Sequence, residues 1–198
     1  MLSYPIIKVT GEIDWTALPV IPIDHVLWTE DTGIQAQGQL CYDDECLYVH
    51  QSAAEKEIRA EYTKPQSPVC EDSCLEFFFM QEGGPSYFNF EINPNGCLGI
   101  EYGPARTDRQ KIILPDPISF FRIHTDRTKD GWEVFYAIPL ALIRSYAPDF
   151  SFAGELRANM YKCGDKTVHK HFLSWTPIDL EKPNFHCPAY FGTMHFSA

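Results

Sequence analysis

The sequence has no run resembling a membrane span. Its densest apolar stretch, Cys74 to Met80, is short and contains Glu76, whereas a crossing helix needs about 20 apolar residues. The start, Met1-Leu2-Ser3-Tyr4-Pro5, has neither a basic region nor an apolar core, so no secretory leader is visible. Paired short cysteine spacings are also missing. The seven cysteines, Cys41, Cys46, Cys70, Cys74, Cys97, Cys163 and Cys187, include no Cys-x-x-Cys. An odd set of this kind argues against a secreted disulfide scaffold and gives little support to a zinc site. It favours reduced cysteines used as small buried apolar residues in the cytoplasm; an extracellular location stays open if a leader was removed. There is no P-loop, G-x-G-x-x-G or G-x-S-x-G. Positive charge is scarce: 16 Lys and Arg stand against 27 Asp and Glu, a net charge of −11. Such a surface repels phosphate backbones and anionic lipid heads, which excludes nucleic acid and membrane surfaces as expected partners and leaves neutral or cationic ligands.

What is present fits one β domain spanning residues 1–198. Aromatic residues make up 14% of the chain, which favours strands and flat contacts. Turn signals recur about every ten residues, as in sandwiches and barrels. Candidate strands are Gln37–Tyr42, Cys46–Gln51, Ile58–Tyr62, Cys74–Gln81, Tyr87–Ile92, Cys97–Tyr102, Phe120–Thr125, Trp132–Ile138, Glu155–Tyr161, Val168–Ser174 and Phe191–Phe196. Asp43-Asp44-Glu45, Asn93-Pro94-Asn95-Gly96 and Asp130-Gly131 supply the turns between neighbours. Pro139 in a first turn predicts one short helix over Leu140–Tyr146. The expected fold is an all-β antiparallel sandwich, jelly-roll or immunoglobulin-like, with that single helix.

Alternation sorts the side chains. Phe88, Phe90 and Ile92 oppose Asn89, Glu91 and Asn93; Leu156, Ala158 and Met160 oppose Arg157, Asn159 and Tyr161. A solvated sandwich face needs no function. Even so, Glu91, Arg157 and Asn159 are planar hydrogen-bonding groups suited to sugar hydroxyls. Glu76 lies between Leu75 and Phe77 on a strand apolar on both faces, so it is the carboxylate expected to be desolvated, with Arg157 as its candidate partner. Trp132 reads as core. Trp175, at a strand end before Thr176-Pro177, is divided between core and a stacking platform for a ligand.

Other chemistry has less support. His169 and His171, two apart on a candidate strand, could begin a metal pair with His186 as a third ligand. A structural calcium is conceivable at the acidic turn Asp43-Asp44, without EF-hand spacing. Glu76 and Glu91 could serve a small glycoside hydrolase, which needs two carboxylates across a cleft.

Several segments carry a resemblance when taken in order: Tyr42-Asp43-Asp44-Glu45-Cys46-Leu47-Tyr48-Val49, Glu71-Asp72-Ser73-Cys74-Leu75-Glu76-Phe77-Phe78 and Tyr87-Phe88-Asn89-Phe90-Glu91-Ile92-Asn93. They are followed by Gly131-Trp132-Glu133-Val134, Arg157-Ala158-Asn159-Met160-Tyr161-Lys162, Leu173-Ser174-Trp175-Thr176-Pro177 and Phe185-His186-Cys187-Pro188. Over nearly its whole length the chain resembles the family-9-like carbohydrate-binding modules, relatives of the DOMON-type sandwiches. The resemblance implies a β-sandwich that binds sugars, often at chain ends, between aromatic rings and a polar set. It implies that Glu76 matches the carboxylate of the family's Asp-Ser-Val-Glu strand, and that Asn159 or Trp175 matches its late Asn and Trp. Val69 and Cys70 stand where the first aromatic would fall, and Glu91 where an Arg is frequent. The expectation is a non-catalytic module or stand-alone sugar-binding protein linked to carbohydrate catabolism. Its ligand would be a mono- or oligosaccharide and its site Glu76, Glu91, Arg157, Asn159 and Trp175, with no cofactor. A haem- or metal-binding relative using His169, His171 and Met160 is the remaining alternative.

Overall fold

The computed structural model describes residues 2–197. Two β layers face each other across one apolar core. The first layer contains β2 (Ile21–Ile23), β4 (Gln35–Tyr42), β5 (Cys46–Ala54), β10 (His124–Arg127) and β11 (Gly131–Pro139). The second contains β6 (Cys74–Gln81), β7 (Tyr87–Ile92), β8 (Leu98–Ala105), β9 (Asp108–Lys111) and β12 (Glu155–Gly164), with β13 (His171–Ser174) and β3 (His25–Val26) at one edge. A seam joins the layers. Here β1 (Ser3–Lys8) lies between β4 and β14 (Gly192–Ser197), and β14 continues into β12. Pairing is antiparallel throughout except at this seam, where β1 runs parallel to both neighbours.

The alternating apolar residues meet as expected. Leu75, Phe77 and Phe79 of β6, Phe88, Phe90 and Ile92 of β7, and Leu156, Ala158 and Met160 of β12 pack against Leu47 and Val49 of β5 and Trp132, Val134 and Tyr136 of β11. The Phe90 and Tyr136 rings stack at 5.9 Å across the interior. One polar link crosses it: Gln51 donates to the Glu76 carbonyl at 2.9 Å and accepts from the Tyr136 hydroxyl at 3.3 Å, so its amide is satisfied where an unpaired one would be costly. Trp132 is fully buried here, and Trp175 belongs to this core as well.

At one end of the core a buried ion pair ties three segments. The fully buried Lys162 ammonium lies 3.0 Å from Glu55 Oε2 and donates to His171 Nε2 at 2.7 Å. His171 in turn donates from Nδ1 to the His169 carbonyl at 2.7 Å.

Helix α2 covers Leu140–Tyr146 as the sequence predicts. A second, four-residue helix α1 (Pro117–Phe120) occupies the start of the expected strand at Phe120. Asp116 caps it through the Ser119 N–H and proline fills its first turn, a start signal visible in the sequence. No strand forms at Ile58–Tyr62. There the backbone N–H groups of Glu61 and Tyr62 donate to Asp72 Oδ2 and that of Arg59 to Ser73 Oγ, so side chains take the bonds a ladder would have used.

Gly131 shows how tightly β11 meets β5. A Cβ there would lie 1.8 Å from the Ala53 carbonyl oxygen, which is backbone and cannot rotate aside. Gly131→Ala is therefore expected to destabilise the fold by about 3 kcal/mol. Gly99→Ala, whose Cβ would meet Val69 Cγ2 at an ordinary 3.6 Å, should change stability little. Denaturant midpoints of the two variants check the contrast.

Candidate functional site

The face of the second layer that points away from the core is not wet. Cys74, Glu76 and Phe78 of β6, Tyr87, Asn89 and Glu91 of β7, and Asn159, Tyr161 and Cys163 of β12 share it. A second apolar cluster covers it, in which Phe78, Tyr87 and Tyr161 pack with Leu27, Val69, Phe172, Ile178, Phe185 and Phe191. Segments before and after the strands thus form a roof. Phe185 lies flat on Tyr161, ring centres 4.1 Å apart, and its carbonyl accepts from the Tyr161 hydroxyl at 3.0 Å.

Between floor and roof is a cavity of about 170 Å³. Its floor includes Glu76, Glu91 and Cys163. Trp28, Phe172 and Phe185 make an aromatic wall, Trp28 lying 5.7 Å from each of the other two rings. The Trp28 indole N–H donates to the Leu180 carbonyl at 2.6 Å, which fastens this ring to the roof. The rim is polar: Arg106, Asp165, Lys170, Asn184 and His186. A groove of about 290 Å³ adjoins it, lined by Asn89, Glu101, Arg109 and Gln66, and Glu91 belongs to both. Trp28 and Gln66 both hold left-handed backbone, with φ of 55° and 61°, a strain that non-glycine residues carry at a cost of about 1–3 kcal/mol.

The electrostatics follow from burial. Glu76 and Glu91 are register partners on adjacent strands. Burial, and then the Glu91 charge, hold the Glu76 carboxyl well above the usual carboxylate range. Burial pushes Glu91 up to about 7, opposed by the Arg109 charge and by the Asn89 amide, which donates to Glu91 Oε1 at 3.0 Å. Burial also raises Asp165. The upward shift of Glu76 favours its protonated form, which can donate as well as accept. Arg109 donates to Glu101 Oε2 at 2.6 Å and to His186 Nδ1 at 2.5 Å. Burial, and then Arg109, push His186 down to about 3.

The five residues singled out from the sequence separate into two groups. Glu76 and Glu91 come together on the cavity floor. Arg157 and Asn159 share the face but lie outside the cavity, and both hold the roof. Asn159 is buried, donating to the Thr176 carbonyl at 3.2 Å and accepting from the Thr176 N–H at 3.0 Å. Arg157 donates to the Phe191 carbonyl at 2.5 Å. It is not the partner of Glu76: it stands opposite Met80, whereas Tyr161 stands opposite Glu76. Trp175 is turned into the sandwich core, against Gly192.

Neither metal expectation assembles. His171 is enclosed with Lys162, His169 pairs with Glu57 at 3.0 Å on the surface, His186 lies in the cavity, and Met160 is core. At the acidic turn, Asp43 accepts from the Glu45 and Cys46 N–H groups and from the Tyr48 hydroxyl, while Asp44 pairs with Lys8 at 2.7 Å.

Sequence reasoning missed the aromatic wall and the rim as site residues. Phe185-His186 lay within a quoted segment, but no local pattern shows that this loop folds back over β12. A larger cleft, about 550 Å³, lies beside Glu55, Glu57 and His169. It holds no Phe, Tyr or Trp to pack against a sugar ring.

The match to the family model "Carbohydrate-binding family 9" extends over residues 8–196. The chain belongs to this family. Among solved structures, it is similar to a protein of Bacteroides uniformis described as a candidate carbohydrate-binding protein, with 29% identity, TM-score 0.84, and 98% of this chain and 99% of that one covered. It shares its fold with a family 9 module from Caldicellulosiruptor kristjanssonii solved with glucose, at 13% identity and TM-score 0.68, covering 99% and 96% of the two chains. A complex of a family 9 module from the same organism with cellotriose gives 14% identity and TM-score 0.67, covering 98% and 93%. No curated protein matches the chain.

The folded state keeps His186 neutral among Arg109, Arg106 and Tyr87, down to about pH 3. The unfolded chain takes up that proton near the ordinary value of 6.5. This group alone should therefore lower stability as pH drops below about 6.5, by up to about 1.4 kcal/mol per pH unit, while the raised Glu76 and Glu91 act in the opposite direction. His171, pushed down to about 4 by burial and then by the Lys162 charge, adds to the same slope. His186→Phe should flatten the slope in part, read from unfolding midpoints measured between pH 7 and pH 4.

Proposed function

We propose that the chain performs its family's carbohydrate binding in the cavity beneath Trp28 and Phe185, taking one sugar unit there and the next in the adjoining groove. The observation that carries this is the meeting, in one cavity, of paired carboxyls and an aromatic wall. A sugar presents apolar C–H faces to rings and hydroxyls that both donate and accept. Glu76 and Glu91, both shifted by burial toward their protonated forms, can serve either role, and Asn184, Arg106 and Lys170 add an amide and two cations at the rim. The groove supports a ligand longer than one unit because Glu91 lines both spaces. Glucose and cellotriose, the ligands of the Caldicellulosiruptor modules, are the first to test.

The arrangement favours binding over hydrolysis. A glycosidase places its two carboxyls on either side of the scissile bond, about 5–10 Å apart. Glu76 and Glu91 instead sit side by side on the floor of one cavity.

Titration calorimetry with glucose, cello-oligosaccharides and a panel of other mono- and oligosaccharides tests the proposal. Heat with at least one sugar is expected. Trp28→Ala, Phe185→Ala and Glu91→Gln should each weaken it about tenfold or more, a loss of roughly 1.4 kcal/mol. His169→Ala, in the larger cleft, should leave it unchanged. Absence of heat with every sugar, or binding unaltered by all three cavity variants, would overturn the assignment.

A further inference from the structure

The floor of the cavity holds a second cluster, which shares Glu76 with the proposed sugar site and adds two cysteines that sugar binding does not use. Cys74 and Cys163 are direct register partners on β6 and β12. Both point to the cavity face, and Glu76 is the next residue on that face of β6. The two sulfurs and a Glu76 oxygen all lie within 4.8 Å of one another. Cys163 Sγ is 3.0 Å from Glu76 Oε1, and all three residues are buried.

We propose that Cys74, Cys163 and Glu76 form a binding site for a thiophilic divalent cation of the zinc class. The donor types fit: two thiolates and a carboxylate are three protein ligands of a tetrahedral ion that leaves its fourth position open. Bonds of about 2.3 Å to sulfur and 2.0 Å to oxygen place tetrahedral ligand atoms about 3.5–3.8 Å apart, so small side-chain rotations suffice. The charge fits as well. Among the described residues no cation pairs with Glu76. The nearest ammonium on β12, that of Lys162, points to the other side of the sheet and is held by Glu55 at 3.0 Å. Glu91 and Asp165 add only like charge. Among the described residues, apart from the Lys162 charge, no cation acts on Glu76, and a divalent ion would supply the counter-ion its carboxylate needs once it gives up its proton to bind.

Access fits too. Glu76 and Cys163 line the cavity, so an ion can enter from that side and keep its open position toward it. Cys70 lines the same cavity. Among the described residues this is the single group of three such ligands that converges. On binding, each thiol gives its proton to solvent and donates a sulfur lone pair to the metal; nothing is oxidised or reduced.

The test uses the full chain, reduced and stripped of metal, titrated with Zn²⁺ against a chromogenic chelator and with Co²⁺ as an optical probe. The expected result is uptake of one ion per chain, with the thiolate-to-cobalt charge-transfer absorption and intense visible bands of a tetrahedral site. Cys74→Ser and Cys163→Ser should each weaken uptake about 100-fold, and Glu76→Gln about tenfold. Cys41→Ser and Cys46→Ser, in the first layer, should match the parent. No stoichiometric uptake by the unmutated chain would overturn the proposal, and so would uptake insensitive to Cys74→Ser and Cys163→Ser. The inference does not rest on the sugar reading, although both draw on Glu76. Sugar calorimetry on the metal-free chain is a separate measurement, so either reading can fail while the other stands.

Discussion

The arrangement of the whole molecule depends on β6 being buried on both faces. One side of this strand, Leu75, Phe77 and Phe79, closes the sandwich core; the other, Cys74, Glu76 and Phe78, must be shielded by something other than the opposite layer. The chain meets that need with its own loops. The segment after β13 returns across the sheet, held by the two-way bond between Asn159 and Thr176 and by Arg157 on the Phe191 carbonyl. Without that roof, Phe78, Tyr87 and Tyr161 would be a large exposed apolar patch, of the kind a soluble monomer rarely tolerates. With it, a half-open cavity remains where roof and floor do not touch.

Burying the floor sets its chemistry. Two carboxyls facing each other across adjacent strands would repel if both were ionised, and desolvation adds to the penalty. Both are raised, Glu76 more firmly than Glu91 because it lies deeper and has no nearby arginine to offset it. Arg109 acts on both sides of this balance. It lowers Glu91 and, through its bond to His186, keeps that imidazole an acceptor. Carboxyls shifted toward their protonated forms can donate as well as accept, where two open carboxylates would offer acceptors alone.

Much of the fold was legible because alternation and turn residues act locally. β6 and β7 match their sequence readings to the residue, and the core face of β12 does as well. β1 was not legible: it is short, carries Pro5, and finds its partners in β4 and in the last strand, parallel to both. On the cavity floor, Glu76 was readable as desolvated because it lies on a strand apolar on both faces. Arg157 and Asn159 were placed on the correct face, but their use as anchors depends on where residues 176 and 191 return. Trp175 follows β13 directly, and its N–H bonds to the Met160 carbonyl, which fixes the ring on the core side. Nothing local distinguishes that outcome from a platform facing a ligand.

The aromatic wall shows why fold and ligand are read from different parts of this chain. The resemblance put an aromatic near residue 70, where Cys70 now lines the cavity. The cavity is walled instead by Trp28, about forty residues earlier, in a left-handed backbone conformation and bonded to the Leu180 carbonyl. That bond joins the two loop segments supplying Trp28 and Phe185, so the wall is positioned as one unit against a floor fixed by β6, β7 and β12. A ring can move between loops in such a design with no change in strand register. A module at 13% identity keeps the same sandwich, because packing of the strands is what the fold requires, while binding groups are commonly carried on loops.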